Sequence, residues 1–219
     1  MIKRIMKRIT FVYGEHMGRP PVALLSTELI ANAAMDLVTA TGGFTIPELA
    51  RTLKVSPSSL YNHVSGREQI VELLRELAMS EVVLPADHPN RPWAETVAEI
   101  MRSYRRSYAR YPRLIPLLTS HAVNSSHAFT MYNALATTLR NANFGDADIL
   151  RAITLMDCFV LGSALDLAAP DEPWESGAEV GQALAAALAT GGPKPARADD
   201  AFEFGLEVIL RGLADLASH

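Results

Sequence analysis

The sequence predicts an all-α protein in two parts, a small three-helix unit over 26–70 and a larger helical bundle over 71–219. Three observations predict it. Nearly every long segment places apolar residues at helical spacing, and none alternates apolar with polar residues between hairpin turns. Helix-start signals crowd together between Thr45 and Glu68. Finally, 49 % apolar residues beside 20 % charged ones is the balance of a chain that folds around a core.

The elements follow in order. Residues 1–25 form a basic extension with Lys3, Arg4, Lys7 and Arg8, ending in Gly18-Arg19-Pro20-Pro21, where the prolines favour extended backbone. Arg19 is a candidate for weak phosphate contact, and Met17 also reads as a translation start that would set 1–16 apart. A helix over 26–40 puts Leu29, Ile30, Ala33, Ala34, Leu37 and Val38 on one face and stops at Gly42-Gly43. Thr45-Ile-Pro-Glu48 fits a capping box for a short helix to Leu53. Ser56 then caps a second short helix with Pro57 at its first position, reaching Val64. Ser65-Gly-Arg-Glu68 fits another capping box, opening a connecting helix over 66–83.

Beyond the break at Pro85 to Pro92, helices are expected over 93–111, briefly after Pro112, and over 125–143 and 146–168. One more is expected over 175–189, then a linker from Gly191 to Pro195 and a last helix over 199–217.

Several classes of protein are excluded. The single cysteine cannot form an internal disulfide and has no metal-ligand spacing. The longest apolar run is the seven residues Ala183 to Ala189, against the roughly 20 of a membrane span, and no apolar core or cleavage site follows the basic start. No Gly-rich phosphate loop, zinc-protease helix or serine nucleophile elbow occurs, so no enzyme, cofactor or metal is expected.

Charge is uneven. The net is −4, yet 1–67 carry eight Lys/Arg against four Asp/Glu, and the remainder twelve against twenty. A basic N-terminal third suggests that this part faces an anionic partner.

Two short helices joined by a tight turn and braced by a third make a helix-turn-helix. Ala50 allows the close crossing, while Leu49, Leu53, Val55, Leu60 and Val64 supply the inner seam. The outer face carries Ser56, Ser58, Ser59, Asn62 and His63, with Tyr61 beside them.

Residues 26–83, above all Thr45-Ile-Pro-Glu-Leu-Ala50, Val55-Ser-Pro-Ser-Ser-Leu-Tyr-Asn-His-Val64 and Gly66-Arg-Glu68, resemble the N-terminal domain of TetR-family transcriptional repressors. The tail, Phe202-Glu-Phe-Gly-Leu206 through Leu213, is similar to that of the family's regulatory domain. The resemblance implies a cytoplasmic homodimer that grips a palindromic double-stranded DNA operator and is released by a small apolar or amphipathic effector. It places Thr45, Ser56, Pro57, Ser58, Ser59, Tyr61, Asn62, His63 and Arg67 at the DNA. Tyr61, His63 and Arg67 would hold phosphates, and Ser58, Ser59 and Asn62 would read bases. Pro47 stands where some relatives carry a basic side chain, and Asn62 where several carry an aromatic one.

In the second part, Met101, Tyr104, Tyr108, His121, Tyr132, Met156 and Phe159 are the candidate lining of an effector cavity, combining aromatics, methionines and a few polar groups. Asp157, in an otherwise apolar stretch, needs an arginine or a polar ligand. Leu161, Leu165, Phe202, Leu206, Ile209 and Leu213, with Gly162, Gly205 and Gly212 permitting close approach, are the candidate dimer interface of a four-helix arrangement. A second reading stays open: an all-helical small-molecule-binding or sequestering protein whose helix-turn-helix no longer binds DNA.

Overall fold

The structure, a computed structural model, describes residues 25–86, 90–169, 180–190 and 194–217. Residues 1–24 of the basic extension, residues 175–179 of the expected 175–189 helix and residues 191–193 of the expected linker lie outside the described residues. All regular structure among the described residues is helical.

The first helix, α1, runs Thr27–Thr41, capped by Ser26, whose side chain accepts from the Leu29 N–H, and closed by Gly42 in a left-handed conformation at φ 84°. Its buried face, Ile30, Ala34 and Val38 among others, packs on α2 (Ile46–Leu53) and α4 (Arg67–Met79). The Thr45 capping box forms: the Thr45 hydroxyl lies 3.3 Å from the Glu48 N–H and the Glu48 carboxylate 2.9 Å from the Thr45 N–H. Such a cap contributes about 1 kcal/mol.

The second expected capping box does not form. Gly66 is the cap of α4 and gives no side-chain hydrogen bond, while Gln69 Oε1 accepts from the Ser65 N–H at 2.6 Å. Gln69, one residue further along the helix than Glu68, thus takes the capping role from a position four residues after Ser65. The helix α3, Pro57–Leu60, is also shorter than expected. The chain then tightens into turns closed by Asn62 N–H to Ser59 C=O and His63 N–H to Leu60 C=O.

The bundle comprises α5 (Trp93–Ala109), a 3₁₀ turn at Pro112–Leu114 leading into α6 (Ile115–Leu118), α7 (Ser126–Asn141), α8 (Asp146–Asp166), α9 (Gln182–Ala189) and α10 (Lys194–Ala217). Helix α5 lies at the centre, packed on α7, α8, α10 and the end of α4. The last helix begins five residues earlier than expected, and Pro195 falls in its first turn, where the missing N–H costs nothing.

One core cluster runs from Ile30 through Leu74, Ile100 and Val160 to Leu213. The expected boundary at 70/71 falls inside α4, whose Ile70, Val71 and Leu74 are all fully buried.

Two buried guanidinium groups tie the layers together. Arg105 donates from Nε to Ser163 Oγ at 2.8 Å, from Nη1 to Asp199 at 2.6 Å and from Nη2 to the Ala198 carbonyl at 3.1 Å, and it lies 4.5 Å over the Phe202 ring. It therefore joins α5 to α8 and α10. Arg75 does the same for α4 and the α6–α7 turn.

Candidate functional site

The N-terminal unit presents one polar surface. Leu60 and Val64 are buried, at 0 % and 2 % exposure, so they fix the rotation of the α3 turn. That rotation leaves Ser58, Tyr61, Asn62 and His63 exposed together, with Tyr61 at 55 %. Ser59 is half-buried. The Ser56 hydroxyl accepts from the Ser59 N–H and lies 2.8 Å from both the Ser58 and Ser59 hydroxyls, so it positions the helix start. Pro57 occupies the first helical position and is exposed. Thr45 is exposed at the start of α2, and its hydroxyl is engaged with Glu48. Arg67 is half-buried, its guanidinium 5.2 Å over the Phe44 ring.

Two cations beside this surface were not among the expected contacts. Arg51 on α2 and Lys54, its left-handed C-cap at φ 56°, are both exposed. Within 25–67, Arg51, Lys54 and Arg67 balance Glu28, Asp36 and Glu48, so the positive excess of the N-terminal third belongs to residues 1–24.

Inside the bundle, a cavity of about 220 Å³ is bounded by Arg75, Tyr104, Tyr108, Ile115, Leu118, Thr119, His121, Val123, Tyr132, Asp157 and Leu161. Four of the seven expected residues, Tyr104, Tyr108, His121 and Tyr132, are in this lining. Met101 and Met156 are fully buried in the core and outside it. Phe159 is elsewhere too: its ring stacks on Phe202, centroids 5.3 Å apart and planes 10° from parallel. The sequence reading missed Arg75, which sits on the connecting helix. The apolar-stripe argument selects aromatic and methionine residues and passes over a cation on a neighbouring element.

Asp157 answers its own question differently from the expected arginine. The Tyr104 hydroxyl donates to its Oδ1 at 2.7 Å and the Tyr132 hydroxyl to the same oxygen at 2.9 Å. Burial, followed by the charge of Asp157, raises both phenols above their ordinary range. Tyr108 is raised by burial as well, and its ring meets Tyr104 edge-on at 5.2 Å.

The cavity adjoins a set of contacts that α4 makes to residues 118–127. Arg75 Nη2 donates to the carbonyls of Leu118 at 3.1 Å and His121 at 3.2 Å. Glu72 accepts from the Asn124 N–H at 2.8 Å and from Arg75 Nε at 3.2 Å. One turn on, Glu76 accepts from the Ser125 and Ser126 hydroxyls, the His127 N–H and His127 Nδ1. Burial pushes the Glu76 carboxyl up, but these hydrogen bonds outweigh it and hold it at about 2. The helix that follows the α3 turn is thus fastened directly to the cavity wall.

The expected dimer residues divide. Phe202, Leu206 and Leu213 are at most 5 % exposed and pack against their own protomer, leaving nothing for a second copy. Leu161 belongs to the cavity, Ile209 is half-buried in the core and Leu165 is exposed. The apolar side chains that do face outward include Phe204 at 69 %, Val208 at 52 % and Leu216 at 60 % on α10, with Leu150, Leu155 and Leu165 on α8. Helical register explains the division: all of the expected set but Leu165 lie on the stripe that already has a partner within the chain.

The family profile described as Tetracyclin repressor-like, C-terminal domain matches residues 84–217. The chain belongs to the TetR family. Its curated relatives include the HTH-type transcriptional repressor DrrR1 of Streptomyces coeruleorubidus, 25 % identical over 153 residues, covering 69 % of this chain and 57 % of that one. An HTH-type transcriptional regulator of Saccharopolyspora erythraea is 28 % identical over 142 residues, covering 64 % of this chain and 60 % of that protein. The match therefore spans less than two thirds of the length of these relatives. Among solved structures, apo ActR of Streptomyces coelicolor superimposes with a TM-score of 0.73 at 25 % identity, covering 90 % of this TetR-family chain and 98 % of ActR. ActR has also been solved in complex with actinorhodin.

Among the described residues, no single helix is long and apolar enough to cross a membrane, and no cluster of three or more candidate metal ligands occurs.

Proposed function

We propose that this protein is a homodimeric, ligand-responsive transcriptional regulator, a repressor that binds a palindromic operator in double-stranded DNA and releases it when a small amphipathic effector binds. It acts in the cytoplasm, without a cofactor, and is not an enzyme. The observation that carries the reading is the outer face of the α3 turn: Ser58, Tyr61, Asn62 and His63 stand exposed over buried Leu60 and Val64. Tyr61, His63 and Arg67, with Thr45 and the additional cations Arg51 and Lys54, contact phosphates. Ser58, Ser59 and Asn62 face base edges, where an Asn amide can pair with adenine. Pro57 and Ser56 set the helix start against the backbone.

The apolar side chains left outward on α8 and α10 support an isologous four-helix interface between two copies. Successive major grooves then require the two α3 turns to lie about 34–36 Å apart. The effector binds better to the conformation in which that separation is wrong, and operator affinity falls by the same coupling factor. The contacts from Glu72, Arg75 and Glu76 to residues 118–127 are the path by which the cavity biases α4.

The double variant Tyr61→Ala/His63→Ala tests the reading. It is expected to lose DNA affinity by at least about tenfold while remaining a folded dimer. Unchanged affinity for any DNA would favour a small-molecule-binding protein whose helix-turn-helix is idle.

A further inference from the structure

We infer that the cavity takes a small aromatic acid, with its acidic group on Arg75 and a hydroxyl donor on Asp157, an inference that rests on reading the cavity as the effector site. At about 220 Å³ it is smaller than the roughly 300–1,000 Å³ of drug-sized sites, so its occupant is about the size of a single substituted ring. The rings of Tyr104, Tyr108 and Tyr132, with Ile115 and Leu118, give walls suited to a flat apolar body.

Two opposite charges interrupt that lining without neutralising one another. Asp157 receives both tyrosine hydroxyls on Oδ1, and its Oδ2 accepts no hydrogen bond among the described residues. The Arg75 side chain is only 9 % exposed. It spends Nε on Glu72 and Nη2 on two carbonyls, and Nη1 donates to no group among the described residues. His121 adds a further polar group. Its Nδ1 lies 2.9 Å from the Leu117 carbonyl, which can only accept, so Nδ1 is the donor there, and Nε2 has no hydrogen-bond partner among the described residues.

A wholly apolar occupant would strip water from Arg75 and Asp157 and return nothing. An acid without a donor would satisfy Arg75 alone, and a neutral phenol Asp157 alone. A molecule bearing both groups meets both requirements. An acid on Nη1 shares the guanidinium with the Leu118 and His121 carbonyls held by Nη2, which links occupancy to the hold of α4 on the cavity wall.

The test is calorimetric titration of the full chain with three matched probes: para-hydroxybenzoate, its methyl ester, which lacks the acid, and benzoate, which lacks the donor. Para-hydroxybenzoate is expected to bind about tenfold or more tighter than either. Arg75→Gln should erase the preference over the ester, Arg75→Lys should keep part of it, and Asp157→Asn should erase the preference over benzoate. Equal affinities for the three probes in the wild-type chain, a preference for the ester, or no binding by any of them overturns the inference. A chain that binds operator but none of the probes retains the regulator reading. One that shows the expected selectivity but binds no DNA loses that reading alone.

Discussion

Tyr104 on α5 holds Asp157 on α8 by a 2.7 Å hydrogen bond from phenol to carboxylate, and Tyr132 on α7 reaches the same oxygen. Three helices therefore meet at one acceptor. Both phenols are disfavoured as anions by burial and by the Asp157 charge. An unfolded tyrosine ionises near pH 10, so protons are lost more readily from the unfolded chain, and stability falls as pH rises past that point. Alkaline titration followed by phenolate absorbance and circular dichroism should show Tyr104, Tyr108 and Tyr132 ionising only as the helices melt. In Asp157→Asn the onset for Tyr104 should move to lower pH. Ionisation of all tyrosines near pH 10 in folded protein would contradict this.

Glu76 gives the opposite dependence on pH. Its carboxyl titrates at about 2 in the folded chain, against an ordinary value of 4.5. The stabilisation is present above pH 4.5 and is lost as pH falls toward 2. With 31 % of the side chain exposed, solvent screening reduces its worth to about 1–2 kcal/mol. Glu76→Gln should lower Tm at neutral pH and flatten its decline in acid, read by thermal melts across the acid range.

Gly205 is required by Phe159. A Cβ at position 205 would lie 2.6 Å from the Phe159 Cε2 and Cζ atoms, and that ring is already held against Phe202. Gly205→Ala should cost about 1–3 kcal/mol in denaturant unfolding, through overpacking. Adding Phe159→Leu should recover part of it.

Phe204→Glu with Val208→Glu should convert the proposed dimer to a folded monomer in analytical ultracentrifugation, because both side chains face outward. Leu206→Glu should instead unfold the chain, since Leu206 is 1 % exposed.

The parts of this molecule that were legible in the sequence are those fixed by local chemistry. Thr45 with Glu48 caps α2 through its own backbone neighbours, the helix starts at Ser26 and Ser125 fall where expected, and the α3 turn is set by Ser56-Pro57 beside Leu60. What failed depends on which helix lies next to which. Leu161 and Phe202 share the same apolar character, yet one lines the cavity and the other stacks on Phe159. Asp157 was rightly marked as needing a partner, but its partners lie on α5 and α7, and no local pattern distinguishes a tyrosine there from an arginine. Gln69 in place of Glu68 at the α4 start is a smaller difference, set by Gly66 rather than Ser65 being the helix cap.

The regulator reading meets its most direct test in selection of random duplex DNA by the purified full chain at near-physiological salt. The account predicts recovery of a palindrome with two equivalent half-sites whose centres are about one helical turn, or a multiple of it, apart. Recovery of no enriched sequence by protein that is folded and dimeric would contradict it.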